Sequence, residues 1–140
     1  MAMSTKLSVA VHILSLLEIE ASSTPTSTDI SKSVNTNPVV IRRIMSQLKQ
    51  AGLLESQPGK KANRLAKDAR EISLYDIYMA VDGDQDVFNI HKNTHPNCLV
   101  GSQIQRVLDS KFEIARIEME NSLRTMPLSD VIWDIESARE

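Results

Sequence analysis

Apolar residues recur along this chain mostly at helical spacing, and only two short stretches favour strands. Leu7, Val11, Leu14 and Leu17, flanked by Ala10 and Ile13, make one stripe and predict a first helix over Lys6–Glu20. A polar loop with Pro25 follows. Asp29–Val34 then reads as a short helix with Ile30 and Val34 as its buried pair. Thr28 or Ser27 is its expected cap, and Asp29 suits the positive end of its dipole. Asn35-Thr36-Asn37 is a turn. Asn37 is a good N-cap, and Pro38 fits the first helical position, which needs no amide hydrogen bond. The next helix runs to about Ala51, with Ile41, Ile44, Met45 and Leu48 facing a core and Gly52 ending it.

Leu53–Ser56 and Arg64–Ala66 read as a hairpin around Pro58-Gly59. Ser73 caps a helix over Leu74–Val81, with Leu74, Ile77, Tyr78 and Val81 on one face. Asp82–Asp86 is an acidic loop, and Val87–Ile90 is short, apolar and expected to be extended. From about Cys98 to Arg124 the pattern is one helix about 40 Å long. It carries two stripes: Val100, Ile104, Val107, Ile114 and Ile117, and Leu108, Phe112, Ala115, Met119 and Leu123. A helix apolar on two sides needs two neighbours, and in so short a chain the second is expected to be another copy. Ile104, Leu108, Phe112, Ala115, Met119 and Leu123 are the expected dimer contacts. Ser129 is expected to cap a last helix buried through Val131, Ile132 and Ile135. The fold class is mainly α: a winged helix-turn-helix with a two-stranded β wing over residues 1–82, then an effector loop and dimerisation helices over 83–140.

Charge sharpens this division. The formal net charge of −2 comes from residues 1–70, with ten Lys/Arg against five Asp/Glu, and residues 71–140, with six against thirteen. The halves thus carry +5 and −7. A basic half suits a polyanion partner. No apolar run approaches the length of a membrane span, and the N-terminus lacks a signal pattern, so a cytoplasmic protein without a membrane partner is expected. One cysteine in 140 residues excludes an internal disulfide framework.

The chemistry follows from position. A helix-turn-helix sets the N-terminal part of its second helix against base edges. Here that part offers Pro38, Val39, Arg42 and Arg43. Arginine pairs bidentately with guanine, and an apolar side chain such as Val39 can touch a thymine methyl. Thr28, Ser33 and Asn35 are placed to reach phosphates, as is Lys49, with Gln47 further along the helix. Lys60, Lys61 and Arg64 give the wing a basic surface for the backbone or minor groove. Cys98 stands at the start of the long helix, after His91, Lys92 and His95. It is a candidate redox-sensing thiol or a small packed residue, and a metal site with those histidines is only loosely specified. His12 lies among apolar residues and is expected to pack. There is no phosphate loop, nucleophile elbow or paired metal-ligand motif, so no enzyme is expected.

LSVAVHIL at 7–14, DISKSVNTNPVVIRRIMSQLKQAGLLES at 29–56, LAKDAREISLYDIYMAVDG at 65–83 and CLVGSQIQRVLDS at 98–110 together resemble the Rrf2 family of bacterial transcription regulators. The resemblance spans nearly the whole chain. It implies a winged helix joined to a long dimerisation helix, and a homodimer that binds a palindromic operator, more often repressing than activating. There are two departures. The family wing usually carries a Gly-Gly-Tyr stretch, where this chain has PGKKANRLAKD. Cluster-binding members carry three cysteines near the long helix, where this chain has Cys98 alone. One thiolate per chain cannot fill the usual ligand set of an iron–sulfur cluster, so no cofactor is expected. The match is closest to the cluster-free, YwnA-like branch, which implies thiol sensing or another effector.

The expected function is therefore a homodimeric repressor on double-stranded DNA, sensing redox or electrophile stress through Cys98. The alternative is a regulator or adaptor controlled by a protein partner or small ligand.

Overall fold

The computed structural model describes residues 4–59, 63–84 and 86–139. Lys60 and Lys61, expected on the wing, lie outside the described residues. The elements are α1 (Lys6–Ile19), α2 (Ser27–Val34), α3 (Pro38–Gln50), β1 (Leu54–Ser56), β2 (Asn63–Leu65), α4 (Leu74–Val81), α5 (Leu99–Arg124) and α6 (Leu128–Ser137). The core draws Ala10, Ile13, Leu14 and Leu17 from α1, Ile30 from α2, Ile41, Ile44, Met45 and Leu48 from α3, and Ile77 and Val81 from α4. The apolar stripes at helical spacing thus meet around one centre. β1 and β2 pair antiparallel in the register Leu54↔Leu65, Glu55↔Arg64 and Ser56↔Asn63. Buried Leu53 and Leu54 root this hairpin in the core, while Glu55 and Ser56 are exposed. Both strands sit one residue off the expected hairpin bounds: β1 begins at Leu54 and β2 ends at Leu65.

Helix starts follow hydrogen-bond chemistry. α2 begins earlier than expected because Thr26, rather than Ser27 or Thr28, is the cap. The Asp29 amide donates to Thr26 Oγ1 at 3.2 Å, and Asp29 Oδ2 accepts from the Thr26 amide at 2.9 Å. That reciprocal box needs an acid three residues after the cap, which only Thr26 has here. α4 uses the same device, as expected at Ser73: the Asp76 amide donates to Ser73 Oγ at 3.1 Å, and the Ser73 amide donates to Asp76 Oδ2 at 3.0 Å.

The C-terminal part divides between two tasks. α6 returns to the core: Leu128 is fully buried, and Ile132 is nearly so. The Leu74 amide donates to the Met126 carbonyl at 2.8 Å and the Leu128 amide donates to the Ile72 carbonyl at 2.7 Å, pinning the α5–α6 junction to the start of α4. The expected cap Ser129 lies inside α6, whose N-cap is Pro127. Leu128, not Val131 or Ile135, is the deep anchor. Val131 is half-buried and Ile135 exposed, because the helix begins a turn before Val131 and Leu128 is the side chain aimed at the core.

None of the 26 residues of α5 is buried. Ile104, Leu108, Phe112, Ala115, Met119 and Leu123, the expected dimer contacts, are half-buried. Their stripe faces its own chain: Phe112 stacks on Phe88 with ring centroids 5.1 Å apart, and the Arg124 guanidinium lies 4.0 Å over the Tyr75 ring. Residues 87–90, expected to be extended, form an irregular cover instead, and this places Phe88 against the helix. The opposite stripe is left uncovered, with Val100, Val107, Ile114 and Ile117 exposed. Arg116 bridges Glu113 and Glu120 along α5. Among the described residues no helix is long and apolar enough to cross a membrane.

Candidate nucleic-acid interface

The α2–α3 connection is fixed by short-range bonds. Asn35 takes a left-handed conformation at φ 59°, which asparagine tolerates better than most residues. The Ser31 carbonyl accepts from the Asn35 amide at 2.8 Å and the Thr36 amide at 3.3 Å, and Ser31 Oγ donates to the Thr36 carbonyl at 2.7 Å. Asn37 Oδ1 then accepts from the Val39 amide at 2.8 Å, with Pro38 at the first turn as expected. Gly52, at φ 76°, turns the chain into β1.

α3 therefore has two faces. Ile41, Ile44, Met45 and Leu48 are buried, and Val39, Arg42 and Arg43 stand exposed. The exposed three lie at i, i+3 and i+4, so they share one face, and exposed Ser46 continues it a turn later. Ser46 was legible from that same spacing. Two guanidinium groups and an apolar residue beside an uncovered helix N-terminus form a surface that attracts phosphate and can read base edges.

The other expected contacts are less uniform. Thr28, Ser33 and Asn35 are exposed on or next to α2. Ser33 Oγ is already hydrogen-bonded to His12 Nε2 at 2.9 Å. His12 does not pack in the core. It is exposed and reaches across from α1, because its place on that helix is with Ser8 and Ser15, beside the main stripe. Gln47 is half-buried, with its Oε1 lacking a hydrogen-bond partner among the described residues. Lys49 Nζ donates to Ser56 Oγ at 3.2 Å, and Arg64 Nε is paired with Glu55 Oε1 at 2.8 Å across the hairpin. Both cations are tied to the root of the wing, next to α3. Such exposed pairs are weak and leave the charges available.

Cys98 is exposed and is the N-cap of α5, without a side-chain cap bond. The loop before it folds tightly over the first turn of α5. Thr94 Oγ1 donates to the Gly101 carbonyl, and a Cβ at Gly101 would stand 2.6 Å from the His95 carbonyl oxygen. His95 Nδ1 accepts from the Asn97 amide at 3.2 Å, so that nitrogen serves its own loop. No group of three or more His, Cys, Asp or Glu side chains that could hold a metal ion converges among the described residues.

The Rrf2 family, described as an iron-dependent transcriptional regulator, matches residues 3–134. The HTH-type transcriptional regulator YwnA of Bacillus subtilis strain 168 is 44% identical over 128 residues, covering 91% of this chain and 95% of that protein. A crystal structure described as that of a DNA-binding protein is 42% identical, with a TM-score of 0.73 over 91% of this chain and 98% of the other. IscR of T. potens shares the fold at 22% identity, with a TM-score of 0.73 over 100% of this chain and 92% of its own. The chain's single thiol is solvent-exposed, and among the described residues no group of three or more metal-ligating side chains converges on it. What the chain shares with the two solved structures is the winged-helix fold. It belongs to the Rrf2 family, and it is a DNA-binding transcriptional regulator, not an enzyme.

Proposed function

We propose that the protein is a homodimeric repressor that binds a palindromic operator through α3, with the wing alongside, and that Cys98 tunes this binding. The observation that carries the reading is the face of Val39, Arg42 and Arg43, exposed on a helix whose opposite side is locked in the core. Two copies joined along the uncovered α5 stripe would present two such helices, which is what a palindrome requires. Val107, Ile114 and Ile117 give that seam its apolar centre, in place of the half-buried stripe expected from the sequence.

The test uses genomic fragments recovered with the wild-type protein. Arg42→Ala with Arg43→Ala should abolish their retention in a gel shift while leaving the dimer intact by sedimentation. Each lost base contact is worth roughly 1–3 kcal/mol. Unchanged affinity would remove α3 as the reading helix.

Support for the thiol comes from its exposure at a helix start whose preceding loop is packed on that same helix. Peroxide would oxidise the thiolate to a sulfenic acid: the sulfur takes one peroxide oxygen, the O–O bond breaks, and hydroxide leaves. The added oxygen would disturb this junction and so the long helix. Wild type should lose operator affinity under peroxide, and Cys98→Ala should keep it. Equal responses would make Cys98 structural.

A further inference from the structure

A groove of about 420 Å³ runs between α1 and α6, away from the exposed face of α3 and reaching Ser33 of α2. One face of α1, from Ser8 through Val11, His12 and Ser15 to Ile19, forms one wall, and Val131 and Ile135 of α6 form the other. Its size is that of a small-molecule site. Two features make it more than a gap between helices. Ser15 lines it and is only 3% exposed, and its hydroxyl has no hydrogen-bond partner among the described residues. A buried hydroxyl left in that state is costly, and its natural complement is a polar group arriving from the groove. The second feature is His12, which lines the same groove and holds Ser33 of α2 at 2.9 Å. α2 packs on α3, so the groove wall is one hydrogen bond away from the helix-turn-helix.

We infer that this groove binds a neutral, largely apolar small molecule of one or two rings bearing a single hydroxyl or carbonyl, and that occupancy is read through His12 and Ser33 as a change in DNA affinity. The apolar walls supply the affinity and the Ser15 hydroxyl supplies the polar contact. Glu20 and Arg139 stand at the groove with opposite charges, so the site has no net preference for an ion and a neutral ligand fits. Its regulatory half rests on the repressor reading above, and its binding half does not.

The probe is 2-naphthol, titrated calorimetrically into the full-length protein without DNA. One saturable site per chain is expected. Ser15→Ala should weaken it by about threefold to tenfold, the worth of one hydrogen bond. The same change should not lower the melting temperature, because it removes an unpaired buried hydroxyl, whereas a purely structural serine would cost stability. Ile135→Trp, at an exposed position, should fill the groove and abolish binding without touching the core. Saturating probe should shift operator affinity about fivefold or more in wild type. His12→Ala should still bind the probe but lose that shift. No saturable heat, as when water or a second copy of the chain fills the groove, overturns the site. So does equal binding by wild type, Ser15→Ala and Ile135→Trp. Binding without any shift in operator affinity overturns the coupling. A wild type that retains no DNA at all overturns the repressor reading and leaves the site standing.

Discussion

α3 and α5 are both amphipathic, yet they stand in opposite positions. α3 has 13 residues, four of them buried, with a side-chain cap at its start and a left-handed glycine just past its end. α5 has 26 residues, none buried, and begins on Cys98 without a side-chain cap bond or an acid in its first turn. One chain completes α3. It half-completes α5, covering the Phe112 side and leaving Val100, Val107, Ile114 and Ile117 in solvent. The lesson is that α3 is finished within one chain and still exposes a face, whereas α5 keeps an apolar stripe that its own chain does not cover.

The sharpest way to break the contrast is to damage each helix on its apolar side. Leu48→Ala should cost about 2–5 kcal/mol of folding stability, since a fully buried leucine leaves a cavity among α1, α3 and α4. Thermal melting reads this directly. Ile114→Glu, at a position 58% exposed, should leave the fold of the monomer intact. It should instead weaken association by about 2 kcal/mol or more, the loss typical of a central interface residue. Sedimentation over a range of concentrations distinguishes the two. If Ile114→Glu melts early and sediments as wild type, α5 is completed by its own chain and the contrast is wrong.

Capping gives a smaller and finer probe. Asn37→Ala removes the bond to the Val39 amide and should cost about 1 kcal/mol. Cys98→Asp should do the reverse at α5, adding a cap where no side chain now serves, for a gain of at most about 1 kcal/mol. Paired chemical denaturation of the two variants should therefore move in opposite directions.

These two helices also show what was legible in the sequence. The local code carried α3: Asn37-Pro38, four core residues at helical spacing and Gly52 together leave little freedom. α5 was legible as a long helix with two stripes, but which stripe its own chain would cover was not. That depended on Phe88, brought from a segment whose pattern suggested a strand. In α6 the helix and its buried Ile132 were legible, but the anchor Leu128 was not, for the same reason. The Leu128 amide donates to the Ile72 carbonyl, and no local pattern announces a partner more than fifty residues away. His12 shows a third kind of failure. Its apolar neighbours suggested packing, but its own helical phase aims it at α2.

The start of α2 offers the smallest effect and the most local one. The Asp29 carboxyl is held below its ordinary value, first by the Thr26 backbone amide and then by the Thr26 hydroxyl. A group whose folded pKa is depressed contributes stability above its unfolded pKa, and that contribution is lost as pH falls through the folded value. Acid should therefore loosen the first turn of α2 below about pH 4, the ordinary range of an aspartate. At α5, which has no acid in its first turn, no corresponding carboxylate can be protonated there. Hydrogen exchange at the Thr26 and Asp29 amides should speed up across that acid range beyond the intrinsic trend. In Asp29→Asn the same amides should be less protected at neutral pH and nearly indifferent to acid. Protection that stays constant in wild type would mean that the box, though formed, does not hold the helix. The turn before α3 would then rest on Ser31 and Asn35 alone.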